Sequence, residues 1–552
     1  SIGEAADVPS KRGRLRTVAA RVASVLAVLL VWFALVFPDQ LSRLTPGALL
    51  RIPVEGLLLV ALALVLPAAP RRTLTAVVGF GLGLLVILKI LDMGFFAVLG
   101  RPFSPLTDWG YLGSAVGLLR DSVGRNRTVA ALGIAVLLLV AVLVLLIGSV
   151  LRLSRITTEH RASSAWTVSA LAVVWLLCAA LGVQAAGGPV AATAAAGFTH
   201  PEVDESLAVD DPFATTPGSE LLTGLRGKDV LVVFVESYGR VAVQDSAISP
   251  AVSAVLTRGT EALAAAGFSS RSAFLTSPTY AGISWLAHAT LQSGLWIDDQ
   301  QRYNQLLQTD RLTLSSAFKR AGWRTVAASP ANTEDWPEGM AFYHFDHIYD
   351  CRNVGYAGPP FGWATMPDQY ALAAFQRNEL SHPNHPPVMA EIDLVSSHGP
   401  WAPLPRMVDW SAVGDGSVFA DMPAQGQSPD DLVGHPDQIQ AAYGQSIQYS
   451  LEALISFVET FHNNDDLVVV ALGDHQPAAV VTGPDASRDV PITIIAHDPE
   501  VMNRIASWGW QPGMLPNPHA PVWPMDAFRD RFLTAYGPQH AMPPESAAPS
   551  PR

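Results

Sequence analysis

The sequence predicts a membrane protein of the α/β class, in which transmembrane helices precede a domain built on a mostly parallel β-sheet covered by helices. Three observations support this prediction. Of the 552 residues, 49% are hydrophobic, and Leu, Val and Ala dominate before about residue 187. Beyond that point, short β-branched runs alternate with segments of helical spacing, as in a sheet with helices on both faces. Several of these runs end in titratable residues, where open α/β sheets bind their ligands.

Five apolar segments are long enough to cross a bilayer. They cover about residues 18–37, 48–68, 74–99, 129–151 and 166–186. The first segment lacks a small-residue cleavage site, which favours a retained helix over a signal peptide. A basic cluster precedes it, and basic residues mark the cytoplasmic side of membrane helices. An odd number of crossings then places everything after residue 186 outside the cell.

These patterns divide the chain into five parts. We predict a cytoplasmic N-terminus over 1–16, a membrane domain over 17–187, a linker over 188–227, an extracellular domain over 228–542 and a disordered tail over 543–552. The net charge of −13 argues against a nucleic-acid partner. The two cysteines, Cys178 and Cys351, lie far apart and form no CxxC motif, so neither a disulfide framework nor a thiolate metal cluster is predicted.

The strongest strand signal is the apolar run 230–235, which leads directly into Glu236. An unbroken β-branched run of this kind is typical of a strand buried on both faces. Four later runs have the same form and lead to Asn332, Glu334, Asp335 and Trp336; to Ser396, Ser397, His398 and Trp401; to Asp474 and His475; and to His497 and Asp498. We expect these polar residues to meet at one edge of a parallel sheet.

Glu236, Asp474 and His475 are the best candidates for metal ligands. A site rich in oxygen and nitrogen donors and free of cysteine suits zinc, manganese or magnesium. Neighbouring residues of an extended strand point to opposite faces, but a sharp turn at Gly473 would let both Asp474 and His475 reach one ion.

Four motifs resemble those of a known family. In chain order, FVESYGR, SPTYAGISWLAH, SSHGPW and ALGDHQP resemble the sulfatase-like branch of the alkaline phosphatase superfamily, and within it the lipoteichoic acid synthase and phosphoglycerol transferase group. The resemblance implies five membrane helices before an extracellular sulfatase-like catalytic domain. It also implies one metal ion, commonly manganese, bound by Glu236, Asp474, His475 and a nucleophilic threonine.

Thr279 is predicted to be that nucleophile and fourth metal ligand, with Ser277 and Ser284 as alternatives. The SPTYAG turn precedes a predicted helix start, where backbone donors favour a bound phosphate. A hydroxyl is a weak nucleophile at neutral pH unless a metal or a base lowers its proton affinity.

The resemblance also implies the substrate-binding residues. His398 matches a histidine that contacts the transferred head group, and it can protonate a leaving alkoxide. Trp336 and Asp335 fall where the group binds the head group, and the sequence departs from the group at Glu338, where its synthases have an arginine. Arg352 is predicted to bind phosphate, with Arg302 and Arg488 as alternatives.

The predicted function is the metal-dependent transfer of a phospho-alcohol head group, phosphoglycerol first of all, from a membrane phospholipid. The acceptor is a glycan, lipid or polymer of the cell envelope, and the intermediate is a phosphothreonine. Manganese is expected, with magnesium or zinc as alternatives. Alternative functions are a phosphoethanolamine transferase, a phospho- or sulfo-ester hydrolase of the same superfamily, and a non-catalytic envelope binding protein. A true sulfatase is disfavoured because SPTYAG contains no C/S-x-P-x-R box.

Overall fold

The computed structural model describes residues 11–37, 53–99, 103–105, 108, 116, 125–180, 207, 210–382, 384–432, 434–461, 466–483 and 486–538. The chain forms two compact units. One contains residues 1–97 and 101–201, and the other contains residues 98–100 and 202–552. The predicted disordered tail, 543–552, lies outside the described residues, as does most of the predicted linker before residue 210.

The first unit consists of long apolar helices. They are α1 (Lys11–Val36), α2 (Val54–Val65), α3 (Ala68–Leu99), α4 (Arg125–Glu159) and α5 (Arg161–Ala180). In the described part of the chain, three segments are long and apolar enough to cross a membrane: Val18–Val36, Ala68–Phe95 and Arg127–Glu159. Helix α2 is apolar but has only 12 residues. The structure therefore supports three of the five predicted crossings, and the predicted segments 48–68 and 166–186 extend beyond the described residues.

Large apolar side chains cover the outer surface of this helical unit. Leu137 is 70% exposed and Val129 is 63% exposed, both on α4. Such a surface is favourable against lipid and costly against water. The helices also approach one another closely, since a Cβ at Gly79 of α3 would lie 2.7 Å from the Ile147 Cα of α4. The length, composition and surface of these helices are those expected of a membrane domain.

A nine-stranded sheet forms the centre of the second unit. Its strands are β1 (Asp229–Val235), β2 (Ser269–Thr276), β3 (Arg324–Ala328), β4 (His347–Tyr349), β5 (Val388–Leu394), β6 (Leu467–Gly473), β7 (Asp489–Ala496), β8 (Gln511–Pro512) and β9 (Val522–Pro524). The strand order is β4-β3-β5-β1-β6-β7-β2-β8, with β9 beside β2. Strand β1 lies between β5 and β6, parallel to both, and all seven of its residues are buried. Burial on both faces accounts for its unbroken apolar sequence.

The direction of β7 differs from the sequence prediction. Strands β4, β3, β5, β1 and β6 are parallel, but β7 runs antiparallel to both β6 and β2. The prediction that His497 and Asp498 join the other strand-end residues is therefore wrong. They lie at the opposite edge of the sheet, where Asp498 Oδ2 is 2.6 Å from Lys228 Nζ. A buried strand has the same apolar pattern whether it runs parallel or antiparallel to its neighbours, so its sequence alone does not indicate its direction.

Helices cover both faces of the sheet. They are α6 (Ser249–Ala265), α7 (Ser284–Ser293), α8 (Gln300–Leu306), α9 (Leu314–Arg320), α10 (Pro337–Ala341), α11 (Asp368–Phe375), α12 (Met422–Gln425), α13 (Pro429–Leu432), α14 (Pro436–Thr460), α15 (Ala479–Thr482), α16 (Pro499–Arg504) and α17 (Ala527–Ala535). One core cluster includes Val233 of β1, Leu256 of α6 and Leu454 of α14. Strand and helix alternate as predicted, and the sheet is mixed rather than wholly parallel.

A buried ion pair joins the segment before β1 to the last helix. Arg529 of α17 is fully buried, and its two terminal nitrogens each lie 3.0 Å from an oxygen of Asp211. Burial by itself would raise the pKa of the Asp211 carboxyl, but hydrogen bonds and charge from Arg529 lower it below its ordinary value. Residues from 210 onward, placed in the linker by sequence, thus pack on the α/β unit.

We expect Asp211→Ala to destabilise this unit by about 3 kcal/mol, because it leaves the Arg529 guanidinium buried without its bidentate partner. Urea unfolding of the full chain in detergent, followed by tryptophan fluorescence, measures the loss. A carboxyl whose pKa is lowered by folding stabilises above its unfolded pKa, and the effect is lost as pH falls through the folded pKa. The difference between wild type and variant should therefore shrink in acid. The exposed neighbour offers a control, Asp210→Ala, and an equal effect of both substitutions would contradict the prediction.

Candidate active site

A cavity of about 670 Å³ lies at the carboxyl ends of the parallel strands. Its wall includes Glu236 after β1, Trp336 after β3, His398 after β5 and Asp474 after β6. Parallel strands bring these chain positions to one edge although they are far apart in sequence. Each of β1, β3, β5 and β6 therefore contributes at least one predicted strand-end residue to this cavity, whereas Ser396, Ser397 and Trp401 are not among the described residues that line it.

Glu236, Asp474 and His475 offer three ligand atoms that all lie within 4.8 Å of one another. His475 Nε2 is 3.4 Å from Glu236 Oε1 and 3.4 Å from Asp474 Oδ2. Gly473 permits the close approach of the two strand ends, because a Cβ there would lie 1.9 Å from the Tyr238 carbonyl oxygen. The turn predicted at Gly473 is not there: Gly473 is the last residue of β6, and the chain bends at Asp474 and His475.

Hydrogen bonds around this trio leave its ligand atoms available. Asp474 Oδ1 accepts from the Ser237 and His475 backbone N–H groups at 2.8 and 2.7 Å. Asp474 Oδ2 is buried and accepts no hydrogen bond from any described residue. His475 Nδ1 lies 2.8 Å from the Gln476 carbonyl oxygen, which can only accept, so Nδ1 carries a proton and Nε2 faces the carboxylates.

The electrostatics of the trio favour a bound cation. Burial, together with the charge of Glu236, raises the pKa of Asp474 to about 7. Burial would lower the pKa of His475, but Asp474 and Glu236 raise it to about 9. Burial would raise the pKa of Glu236, but His475 holds it well below its ordinary value. Two buried carboxylates with one unbonded oxygen and one oriented imidazole fit a divalent ion.

The hydroxyl in contact with this trio is that of Ser284. Its Oγ donates to Glu236 Oε2 at 3.1 Å and lies 3.2 Å from His475 Nε2. Ser284 is the first residue of the ten-residue helix α7, and the N-terminus of a helix favours a bound phosphate. It follows a left-handed turn, with φ of 60° at Ala281 and 58° at Ile283.

Thr279, the nucleophile and ligand predicted from sequence, occupies a supporting position instead. It is 2% exposed, its Oγ1 lies 3.3 Å from Ser277 Oγ, and its backbone N–H donates to the same oxygen at 3.2 Å. Ser277 Oγ in turn donates to the Asp474 carbonyl at 2.5 Å. Thr279 is also absent from the described residues that line the cavity. The left-handed turn at 281–283 separates the two hydroxyls, and the geometry favours the alternative, Ser284.

His398 lies in the cavity wall on the side of β5. Its Nδ1 is 2.6 Å from the Gly399 carbonyl oxygen, and its ring stacks on Trp363 with centroids 3.6 Å apart. Burial lowers the pKa of His398 despite the charge of Glu236. The imidazole is therefore neutral near neutral pH, with the proton on Nδ1 and a lone pair on Nε2.

The other predicted substrate residues separate into two groups. Trp336 and Asp335 line the cavity. Arg352 does not line it in the described structure, because its guanidinium lies 2.6 Å from Asp350 and 2.7 Å from Asp335. Two carboxylates thus neutralise the charge predicted to bind phosphate.

The two alternative arginines are also engaged elsewhere. Arg488 Nη1 donates to the Pro278 carbonyl at 2.6 Å, and Arg302 lies 3.7 Å from Asp298. Neither residue is among the described residues that line the cavity. The three arginines therefore share no phosphate site with the trio.

The structure adds a second trio that sequence reasoning missed: His288, Glu391 and Asp393. His288 lies one turn beyond Ser284 on α7, and its Nδ1 is 3.1 Å from Glu391 Oε1 and 3.7 Å from Asp393 Oδ1. Burial would lower the pKa of His288, but Asp393 and Glu391 raise it to about 9. Alternate carboxylates within the apolar run VMAEIDLV were the available signal, since both point to one face of β5.

Fold and site together define a class: an α/β sheet whose strand ends hold a buried trio of two carboxylates and a histidine, with the hydroxyl of the first residue of a helix against it. Compared by sequence, the chain matches no protein-family model and no curated protein.

Compared by structure, the chain is similar to the lipoteichoic acid synthase LtaP from Listeria monocytogenes, at 16% identity over 53% of this chain and 70% of that one, with a TM-score of 0.35. It is also similar to the Streptococcus pyogenes phosphoglycerol transferase GacH in complex with sn-glycerol-1-phosphate, at 13% identity over 52% and 74%, with a TM-score of 0.34. A third structure is the C-terminal periplasmic domain of EptC from Escherichia coli, at 13% identity over 49% and 72%, with a TM-score of 0.32.

Proposed function

We propose that the protein is a membrane-bound, metal-dependent transferase that moves a phospho-alcohol head group from a phospholipid to an acceptor hydroxyl of the cell envelope. The observation that carries the proposal is the position of Ser284. Its hydroxyl lies at a helix N-terminus and touches Glu236 and His475 of the candidate metal trio. A hydroxyl that lies against candidate metal ligands at a helix N-terminus, which favours a bound phosphate, supports attack by this oxygen on phosphorus.

Glu236, Asp474 and His475 would hold the ion, for which we propose manganese. When bound, a divalent ion would lower the proton affinity of the Ser284 hydroxyl and offset charge on the phosphoryl oxygens. The α7 N-terminus contributes backbone N–H groups to the same phosphoryl oxygens.

The reaction has two displacements at phosphorus. First, Ser284 Oγ bonds to phosphorus, the bond from phosphorus to the glyceryl oxygen breaks, and diacylglycerol leaves with the proton that Ser284 gives up. The head group is then a phosphodiester on Ser284. Second, an acceptor hydroxyl attacks phosphorus, His398 Nε2 takes the hydroxyl proton, and Ser284 Oγ leaves and is reprotonated.

A lipid donor agrees with the membrane domain. Helices long enough to cross a bilayer precede the α/β unit in the chain. We place the α/β unit on the extracellular side, as the basic N-terminal cluster indicates. A phospholipid head group is then available on that side of the bilayer.

Trapping the intermediate tests this proposal. The full chain in detergent micelles with Mn²⁺ is mixed with phosphatidylglycerol or phosphatidylethanolamine, quenched in acid and digested with trypsin. The peptide of interest, 272–302, contains Ser277, Thr279 and Ser284, so fragmentation must assign the modified residue. We expect the mass of a phospho-alcohol on Ser284 that changes with the lipid supplied. Release of diacylglycerol without any adduct, or an adduct on Thr279, would contradict the proposal.

A further inference from the structure

We infer that the head-group pocket selects an alcohol that carries a positive charge, namely a protonated amine, over an uncharged polyol. This inference rests on the proposed function, since it names the substrate class of the same site. It follows from the charge and the aromatic surface of the cavity wall.

Carboxylates dominate the charged groups of this wall. Glu236, Asp474, Glu391, Asp393, Glu334, Asp335 and Glu338 line it, whereas no lysine or arginine does so among the described residues. The positive charge in the lining comes only from histidine. The cavity as a whole is therefore strongly acidic.

Most of these carboxylates have a partner of their own. Selection between charged and uncharged head groups depends on the carboxylates that have none. Glu236 and Asp474 belong to the candidate metal trio, and His288 lies between Glu391 and Asp393. Asp335 pairs with Arg352. Glu334 and Glu338 form no ion pair with any described residue, and the buried Asp393 Oδ1 accepts no hydrogen bond from one. A net negative charge is thus left for a ligand to balance.

An aromatic surface lies beside this excess charge. The ring centroids of Trp336 and Tyr343 are 5.4 Å apart, and Tyr303 lines the same cavity wall. The charge of Glu338 acts on both tyrosines. Burial is the main reason that the pKa of Tyr303 and the pKa of Tyr343 are raised. Both phenol rings therefore stay neutral and keep their electron-rich faces.

Ring faces next to a carboxylate attract an ammonium group by cation–π and charge interactions. A polyol such as glycerol forms hydrogen bonds there but leaves the carboxylate charge unbalanced. The pocket chemistry therefore fits a phospho-alcohol with a protonated amine.

Binding of soluble head groups tests the inference without requiring transfer. Titration calorimetry on the full chain in detergent with Mn²⁺ compares O-phosphoethanolamine with glycerol 1-phosphate. We expect the amine to bind at least about tenfold more tightly, and Glu338→Gln to remove most of this difference. The control is Glu220→Gln, which changes an exposed glutamate of the same unit and should leave both affinities unchanged. Equal affinities, or tighter binding of glycerol 1-phosphate, would overturn the inference.

The lipid donors provide the second measurement. Adduct formation on Ser284 should be faster with phosphatidylethanolamine than with phosphatidylglycerol. Glu338→Gln should slow the reaction of phosphatidylethanolamine more than that of phosphatidylglycerol. If phosphoethanolamine binds selectively but neither lipid forms an adduct, the pocket assignment stands and the proposed function fails. If phosphatidylglycerol reacts faster and Glu338→Gln slows both donors equally, the proposed function stands and the inference fails.

Discussion

Replacing Ser284 by alanine is expected to lower head-group transfer by about 10⁴-fold or more, because it removes the oxygen that we propose as the nucleophile. The Ser284 hydroxyl lies 3.1 Å from Glu236 and 3.2 Å from His475. In the alanine variant, water could attack the phospholipid, but it could not form the covalent intermediate that carries the head group. The measurement is the rate of diacylglycerol release together with the adduct on peptide 272–302.

Two matched variants separate chemistry from structure. Ser284→Thr keeps a hydroxyl on the same carbon and should retain part of the activity. Thr279→Ala removes the buried hydroxyl that lies 3.3 Å from Ser277 Oγ, and we expect it to retain measurable transfer and the adduct on Ser284. An inactive Thr279→Ala with normal stability, beside an active Ser284→Ala, would show that the sequence-based choice of Thr279 was right.

Asp474→Asn and His475→Ala are expected to lose the divalent ion and, with it, turnover. Each variant removes one of three ligands and, at Asp474, a buried negative charge that the ion would balance. His398→Ala should keep the ion, because His398 is not part of the trio, yet lose most turnover through the missing base. Metal content by mass spectrometry of the purified protein, measured alongside activity, distinguishes these outcomes.

His497→Ala is the control for these histidine variants. His497 lies at the opposite edge of the sheet, so its removal should leave both metal content and turnover intact. Loss of metal in His398→Ala to the same extent as in His475→Ala would make His398 a ligand. Full metal content in Asp474→Asn and His475→Ala would remove the trio from consideration as a metal site.

Sequence alone determined the features that depend on local pattern. The run 230–235 is apolar throughout because β1 is buried on both faces, and the structure places it in the middle of the sheet. Glu236 and the Asp474–His475 pair end two strands that are parallel neighbours, so their side chains meet. The strand ends and their polar residues can be predicted from sequence, since burial imposes the apolar pattern within a few residues.

Tertiary structure decided the features that depend on direction and orientation. It placed Ser284 rather than Thr279 on the trio, because left-handed residues at 281 and 283 turn the chain between two hydroxyls five residues apart. It reversed β7 and so removed His497 and Asp498 from the site. It paired Arg352 with two carboxylates, and it joined His288 to a strand about a hundred residues later in the chain. Sequence specifies which side chains carry charge, but partners distant along the chain meet only when packing orients the elements that bear them.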